Sequence, residues 1–312
     1  MVHLRFFLGW CWFRTESVRL RAAGPGSRGA VWSAVLLSLL CSVHAATPEE
    51  TLKELVSRQQ TLLADAAKKT TQHELEDLRQ PLQELCNAYE DFLRANPKLA
   101  AAFVSYALLL DHPVIDERRR STALLIRANQ LDPEVALVKN QLGNHVAEDG
   151  RPLEALNYFL AAIRLEPKEP LYHYQLGTLL VEARDDFLKS GEWTAEKVDT
   201  SLLHAFREAA QLEPNNWRYA YRYGLAFYDV GKPDWAVALA FWREFETKLK
   251  PGVEQQTCRL HQARVLAAQG ERAQAEAMLA TVTESALAKQ KAKLAAELAA
   301  PPEPAPAPAG LE

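Results

Sequence analysis

The sequence predicts an all-α fold built from consecutive antiparallel helix pairs. The first indication is a 34-residue unit, Ala136 to Glu169, with small residues, a turn glycine and a closing proline at regular places. The second is repetition, because the Leu-Gly pair at 176–177 lies 34 residues after the pair at 142–143. The third is composition: Ala, Leu and Glu are frequent, Gly contributes 13 of 312 residues, and no stretch alternates like a strand. Helix formers with a long, regular period are typical of stacked helical repeats.

The spacing inside this unit has a physical reason. Gly143, Ala155 and Ala162 are small, as two closely crossing helices require at their contact. Gly150 lies where the chain must turn, and glycine adopts a positive φ without steric penalty. Pro167 cannot continue a helix, so we expect the second helix to end just before it. One pair cannot bury its apolar face alone, so neighbouring pairs are required.

This pattern resembles that of the tetratricopeptide repeat (TPR) family. The residues that carry the resemblance are Leu142, Gly143, Gly150, Ala155, Phe159, Ala162 and Pro167. The first-helix Trp and Tyr of the family pattern are replaced here by Lys139 and Val146. The resemblance implies a right-handed superhelical solenoid of helix pairs, whose first helices line a concave groove that binds a partner protein. With the N-terminal segment described below, it indicates a TPR protein of the exported bacterial type.

The chain before the repeats predicts two helices at 46–99, which we interpret as an N-terminal cap. The run Thr-Pro-Glu-Glu at 47–50 is a helix start, because the hydroxyl caps, proline suits the first turn and acids favour the helix N-terminus. A polar break at 68–72 separates the first helix from a second one, which contains Pro81 and ends near residue 96.

The repeat array is predicted to occupy residues 100–289. We expect five repeats, at about 100–135, 136–169, 170–216, 217–250 and 256–289. The third carries a 13-residue insertion, because Pro214 lies 47 residues after Pro167. Its turn is placed at 191–193 and its second helix starts near Thr194. Seven extra residues are two helical turns, so this pair is predicted to project about 10 Å, with Trp193 exposed or folded back on its own pair.

The later repeats are recognised by a recurring interval of five residues from a turn glycine to a small alanine. It occurs as Gly150/Ala155, Gly231/Ala236 and Gly270/Ala275, a recurrence that chance rarely gives. The repeat at 217–250 is also very aromatic, and we expect most of its rings to lie in the core. After the array, 286–300 predicts an exposed helix, and 290–312 comprises the end of that helix and an extended Pro/Ala tail.

The first 45 residues predict a signal peptide or an N-terminal anchor. The apolar run at 30–45 follows several arginines and ends in Val43-His44-Ala45, which has small residues at the usual cleavage positions. The run is short for a membrane span. An uncleaved anchor is the alternative. Translation from Val18 would leave a conventional signal peptide. The localisation expected is therefore exported, periplasmic or secreted, or else anchored in the inner membrane.

Composition and motifs exclude several function classes. A formal net charge of −4 argues against broad nucleic-acid binding, which needs a basic face. No catalytic, metal-ligand or cofactor motif is present: His73-Glu74 lacks the second histidine of a zinc-protease helix, and the histidines are scattered. Cys86 and Cys258 lie within helical patterns and are interpreted as buried, unpaired thiols.

The TPR resemblance, carried over by position, implies a set of groove residues. They are Asn140, Asn144, Tyr174, Gln175, Arg218, Tyr221, Arg222, Tyr228 and Arg264. Arg218 and Arg222 lie one helical turn apart, so together they are a candidate clamp for a partner's carboxylate; ordinary solvated groove residues are the alternative. Glu148, Glu182 and Asp229 share one repeat position and form a candidate acidic row facing the arginines.

The sequence therefore predicts a non-enzymatic protein-interaction scaffold or adaptor of the bacterial cell envelope, which binds a segment of a partner in the groove. The partner is a protein or peptide, and no cofactor is expected. One alternative is a membrane-anchored adaptor of envelope assembly. Another is a carbohydrate-binding module or an enzyme subunit, which groove aromatics alone would support.

Export with cleavage after Ala45 is the first testable prediction. The arginines, the apolar run and the small residues at the cleavage site all favour it. N-terminal sequencing of the protein recovered from cells should begin at Ala46. Recovery of the intact N-terminus from the cytosol would contradict the prediction.

Overall fold

The computed structural model describes residues 46–300, and for residues 72–74 it describes the backbone alone. Within that range the protein forms fourteen α-helices and no β-strand. The predicted signal peptide or anchor at 1–45 and the tail at 301–312 lie outside the described residues. None of the helices described here has both the length and the apolar character needed to span a membrane.

The described part of the protein divides into two compact units, unit 1 up to residue 148 and unit 2 from residue 149. Unit 1 contains α1 (Pro48–Ala66), α2 (Gln72–Ala95), α3 (Ala100–Leu110), α4 (Arg118–Leu131) and α5 (Ala136–Glu148). Unit 2 contains α6 (Pro152–Leu165), α7 (Pro170–Glu182), α8 (Arg184–Lys189), α9 (Ala195–Leu212), α10 (Trp217–Ala226), α11 (Trp235–Thr247), α12 (Val253–Ala268), α13 (Arg272–Ala280), a 3₁₀ turn (Ser285–Leu287) and α14 (Ala288–Ala299).

Unit 1 begins with the helix start that its sequence predicts. The hydroxyl of Thr47 accepts from the Glu50 N–H at 3.2 Å, and the Glu50 carboxylate accepts from the Thr47 N–H at 2.8 Å. These reciprocal bonds satisfy two backbone donors that the first turn of α1 would leave unpaired. The α2 helix continues through Pro81 without a break.

The core of unit 1 is centred on two tyrosines. Tyr89 of α2 and Tyr106 of α3 stack with ring centroids 5.2 Å apart, and both are almost fully buried. The hydroxyl of Tyr89 donates to Oε1 of Gln59 at 2.6 Å, so the buried polar ends are paired. Leucines of α1, α2 and α3 pack around the rings.

In unit 2, two first helices contact their second helices through a glycine. A Cβ atom added to Gly177 of α7 would lie 2.8 Å from Cε1 of Phe206 in α9. One added to Gly224 of α10 would lie 2.1 Å from Cζ2 of Trp242 in α11. Both rings are fully buried. The small residues at these positions are therefore required, as the sequence predicts, because an aromatic ring occupies the space of the missing side chain.

The register of the fourth repeat differs from the prediction by two residues. Ala236 is exposed, and Ala238 is the alanine that is completely buried in α11. Gly231 also lacks the positive φ of Gly150 and Gly270. The interval of five at Gly231 is thus a coincidence, because the buried Ala238 lies 14 positions after Gly224, whereas Ala155 lies 12 positions after Gly143 in the repeat that defines the pattern.

The 13-residue insertion folds back instead of projecting as a longer straight pair. The first helix ends at Glu182, and a separate short helix, α8, packs against α6, α7 and α9. The second helix starts at Ala195 with Thr194 as its cap, as predicted. Trp193 is half-buried, since its ring lies 5.2 Å from that of Phe187 and the Lys197 ammonium lies 4.1 Å from its centroid. The predicted projection is therefore wrong, and the folded-back alternative for Trp193 is correct.

The C-terminal helix also packs more closely than the sequence suggests. The sequence predicts an exposed helix after the array, but Leu294 and Leu298 of α14 are buried, and the helix contacts α12 and α13. Two leucines four residues apart supply the narrow apolar stripe that covers the last helix pair. Cys86 and Cys258 are buried free thiols, as predicted.

Replacing Gly224 with alanine tests the close contact. Gly224→Ala should lower the free energy of unfolding by about 1–3 kcal/mol, because the overpacking cost exceeds the gain in helix propensity of at most about 1 kcal/mol. Urea unfolding measures the change. Gly231→Ala is the matched control, since its Cβ would meet nothing nearer than Oδ2 of Asp199 at 3.6 Å. Equal stability of the two variants would contradict the contact.

Candidate functional site

Three arginines of unit 2 lie over aromatic rings, on helices that the sequence predicts to line one surface. The Arg218 guanidinium lies 4.9 Å from the ring centroid of Tyr174. The Arg222 guanidinium lies 4.1 Å from that of Phe206. The Arg264 guanidinium lies 5.8 Å from that of Tyr228. We call the surface carrying Tyr174, Arg218, Tyr221, Arg222, Tyr228 and Arg264 the α7–α10–α12 face.

Arg222 is already paired within the protein. Its Nη1 lies 2.8 Å from Oδ2 of Asp229, and its side chain is only 17% exposed. Burial raises the pKa of Glu182 above its usual value, and the positive charge of nearby Arg222 partly opposes that rise. Arg222 therefore already has a carboxylate partner inside the protein, which argues against a clamp of Arg218 and Arg222 for a ligand's carboxylate.

Arg218 and Tyr174 form a stacked pair rather than two separate contact residues. Tyr174 is only 6% exposed, because Arg218 covers its ring and Tyr219 packs beside it with centroids 5.3 Å apart. Arg218 itself is half-buried. A cation held over an aromatic face is stabilised by the ring quadrupole, so Tyr174 positions Arg218 at the surface.

His261 of α12 is a central residue of this face that positional reasoning left out. It is 3% exposed and stacks on Trp242 with centroids 4.5 Å apart and an interplanar angle of 9°. Its Nδ1 lies 3.3 Å from the hydroxyl of Tyr228, and its Nε2 lies 3.4 Å from the hydroxyl of Tyr221. Burial, with a smaller effect from Arg264, lowers the pKa of His261 to about 3. The imidazole is therefore neutral at physiological pH.

A signal for His261 was present in the sequence. It occupies the sixth position of the last repeat, counted from Gln256, and Arg222 occupies the same position of the repeat that begins at Trp217. The packing of Tyr221, Tyr228 and Trp242 around the imidazole could not be predicted from the sequence, because it depends on how α10, α11 and α12 approach one another.

The remaining predicted residues are placed differently. Asn140 is completely buried in unit 1, so it does not present its amide at the surface as expected. Asn144 is half-buried and donates to Gln141 Oε1 at 3.3 Å. Gln175 in unit 2 is 9% exposed. Since both side chains are buried, a ligand cannot reach Asn140 and can reach little of Gln175. A repeat position predicts the side of the helix on which a residue lies, but not how deeply that residue is buried.

One arrangement in unit 1 has the elements of a catalytic triad. Nε2 of His145 lies 2.9 Å from Oδ2 of Asp111, and Nδ1 lies 2.8 Å from Oγ1 of Thr122. The Thr122 hydroxyl also donates to the Arg118 carbonyl at 2.9 Å, as helix residues commonly do. His145 and Asp111 are nearly buried, so we interpret the group as structural. Among the side chains that the structure describes, which leave out those of residues 72–74, no cluster of three His, Cys, Asp or Glu suits a metal ion.

An open, polar cavity of about 740 Å³ adjoins the α7–α10–α12 face at the turn end of α10. It is lined by Lys232, Pro233, Asp234, Trp235, Ala236, Gln269 and Glu271. Trp235 connects it to the face, because its ring centroid lies 5.4 Å from that of Tyr228.

Comparison with solved structures identifies the fold. YrrB, described as a TPR protein with an unusual peptide-binding site, matches with a TM-score of 0.54 at 21% identity over 68% of this protein and 99% of its own length. PilF of Pseudomonas aeruginosa matches with a TM-score of 0.52 at 16% identity over 80% of this protein and 99% of its own length. PilW, a type IV pilus biogenesis factor, matches with a TM-score of 0.50 at 13% identity over 78% and 99%.

These likenesses establish the fold, and the predicted all-α, TPR-like class of stacked helix pairs is confirmed. No family model matches the sequence, and no curated protein matches it either.

The neutral state of His261 predicts a specific pH dependence of stability. Below pH 6.5 the unfolded protein gains a proton at this histidine, whereas the folded protein does not until about pH 3. The contribution of the neutral His261 imidazole to the free energy of unfolding is therefore fully present above pH 6.5. It is lost as the pH falls, and the loss reaches roughly 2–3 kcal/mol at pH 4.5. Urea unfolding of the parent and of His261→Gln from pH 7 to 4.5 should show a steeper loss in the parent. Parallel curves would contradict a buried neutral imidazole.

Proposed function

We propose that this protein is a non-enzymatic protein-interaction scaffold of the bacterial cell envelope, and that the α7–α10–α12 face of unit 2 binds a segment of a partner protein. Repeat folds share architecture and differ in ligand, so the proposal depends on the residues of this face rather than on the fold alone.

The observation that carries the proposal is the set of side chains on the face. Arginine and tyrosine are the residue types that most often dominate protein interfaces, because they combine apolar area with directed hydrogen bonds. Here Arg218 and Arg264 are held against rings, and Tyr221 and Tyr228 are held by His261. Side chains that are ordered before binding lose less conformational entropy when a partner arrives.

Other observations support a location in the cell envelope and a role without catalysis. The apolar run at 30–45 with its small residues before Ala46 supports export to the periplasm or beyond. PilW, which shares the fold, is described as a type IV pilus biogenesis factor, and this description favours a setting in the cell envelope. In unit 1 the Asp111, His145 and Thr122 group is engaged in packing, which supports a scaffold without catalysis.

Site-specific photo-cross-linking tests the proposed binding surface. Leu225 of α10 is half-buried and lies four residues after Tyr221, hence on the same side of the helix. Benzoylphenylalanine placed at Leu225 should form a covalent adduct with a partner in cells that produce the full-length protein. The same residue at Val237, which is 46% exposed on α11, is the matched control and should give none.

The adduct at 225 should decrease at least about tenfold when Arg218 and Tyr221 are both changed to Ala. Loss of a charge-assisted hydrogen bond and of a tyrosine anchor costs about 1.5–3 kcal/mol each, which exceeds this factor. An adduct that forms equally well from 237, or that is insensitive to the double change, would place the binding surface elsewhere.

A further inference from the structure

We propose that residues 301–312, which we call the proline segment, bind in the cavity at the α10–α11 and α12–α13 turns and cover Trp235. The occupant of this cavity is thus a part of the same chain. The inference concerns the turn edge of unit 2, which lies outside the α7–α10–α12 face, and it does not rest on the proposed function.

The first observation is the place where the chain leaves α14. The carbonyl of Ala300, the last residue that the structure describes, accepts from Nη2 of Arg272 at 3.2 Å. Arg272 begins α13 and directly follows Glu271, which lines the cavity. Ala300 has φ −67° and ψ 142°, values typical of polyproline II that a following proline favours. The described chain therefore ends next to the cavity, in the backbone conformation that a proline-rich sequence prefers.

The second observation is the length and composition of the proline segment. It has twelve residues, of which five are proline. Such a sequence favours polyproline II, in which twelve residues span about 37 Å. Neighbouring axes of packed helices lie about 8–10 Å apart. The segment is therefore long enough to pass the α12–α13 turn and to reach Trp235 at the α10–α11 turn.

The hydrogen-bonding groups of the cavity suit an occupant that is rich in acceptors. The carboxylates of Asp234 and Glu271 already accept, from two backbone N–H groups of α11 and from a glutamine amide respectively. The donors of Lys232, Trp235 and Gln269 have no hydrogen-bond partner among the residues that the structure describes. Proline has a carbonyl but no N–H, and the polyproline II backbone makes no internal hydrogen bonds. A proline-rich chain thus offers free carbonyl oxygens to these unused donors and brings few donors of its own.

Trp235 supplies the apolar part of the cavity. Its ring is half-buried and is held beside that of Tyr228, with centroids 5.4 Å apart. Aromatic side chains are the surfaces on which polyproline II segments dock, because that helix is preformed and loses little entropy on binding. Residues 304–309 alternate proline and alanine without any charge, so proline rings can contact the indole.

The covalent connection favours this segment over a separate proline-rich peptide. Because residue 301 follows Ala300 directly, the segment is present at the cavity at an effective concentration on the order of millimolar. A free peptide would have to reach a similar concentration in solution to compete. Even a weak contact of the proline segment with Trp235 is therefore occupied most of the time.

Photo-cross-linking within the purified full-length protein tests the contact. Benzoylphenylalanine placed at Ala305 should form an adduct with the turn at 232–236 or with the turn at 269–271, and peptide mapping by mass spectrometry identifies which. The adduct should form within one chain, so the denatured product should keep the mass of a monomer. The same residue at Val253, which is 43% exposed at the opposite end of α12, is the control and should form no adduct with either turn.

Substitutions in the cavity show whether Trp235 holds the segment. Trp235→Ala should lower the adduct yield at least about fivefold, because loss of a tryptophan anchor weakens binding by more than about tenfold. Gln269→Ala changes an exposed residue, leaves the contact of Trp235 with Tyr228 intact and should lower the yield about twofold or more. Trp193→Ala, at the half-buried indole of another turn in unit 2, is the matched control and should leave the yield unchanged.

Substitutions in the proline segment give an independent test that leaves the folded helices untouched. Replacing the prolines at 302, 304, 306 and 308 with glycine makes this part of the chain flexible and removes its preformed shape. The adduct yield from position 305 should then fall, as it does for Trp235→Ala.

Absence of an adduct with either turn would overturn the inference, because the cavity would then be left to an occupant from outside the chain. An adduct that joins two chains would also overturn it, since the segment would occupy the cavity of a second copy. A yield that survives both Trp235→Ala and the proline changes would do the same. None of these results depends on the adduct from position 225, so the proposed function and this inference can fail separately.

Discussion

Trp242 connects the core packing of unit 2 to the side chains of the α7–α10–α12 face. Its ring is fully buried and fills the space beside Gly224, where a single added carbon would lie 2.1 Å from it. The same ring stacks on His261 at 4.5 Å. A larger residue at Gly224 would displace the indole, and the imidazole would lose its support. The hydroxyls of Tyr221 and Tyr228 are held by that imidazole, so their positions on the α7–α10–α12 face depend on a glycine that is itself buried.

The fold was predictable because its determinants are local in sequence. Small residues such as Gly177 mark close helix contacts, and Gly150 and Gly270 take the positive φ that a turn requires. The register of α11 was not predictable from the sequence, since Gly231 and Ala236 match the pattern whereas Ala238 is the alanine buried in the core. A pattern of spacings cannot detect a packing residue that is shifted by two positions when another small residue lies at the expected place.

The site was predictable to the level of helix faces and no further. Arg218, Tyr221 and Arg264 lie in contact with the aromatic groups of one surface, as first-helix positions suggested. Asn140 occupies an equivalent position and is completely buried. The pairing of Arg222 with Asp229 depends on side-chain rotamers and on the local turn, which no periodicity encodes. Whether an arginine is satisfied internally decides its role, and that information exists only in three dimensions.

The charges of the face are therefore unequal although its arginines look alike in sequence. Arg222 is balanced by Asp229, with Glu182 also near, so this part of the face carries no excess positive charge. Arg264 keeps its charge, and the groups around it are neutral: burial holds His261 unprotonated and raises the pKa of Tyr221 and Tyr228 above the usual value. None of these neighbours changes protonation between about pH 5 and 8. The charge state of this part of the face therefore stays constant over the range in which an unperturbed histidine would titrate.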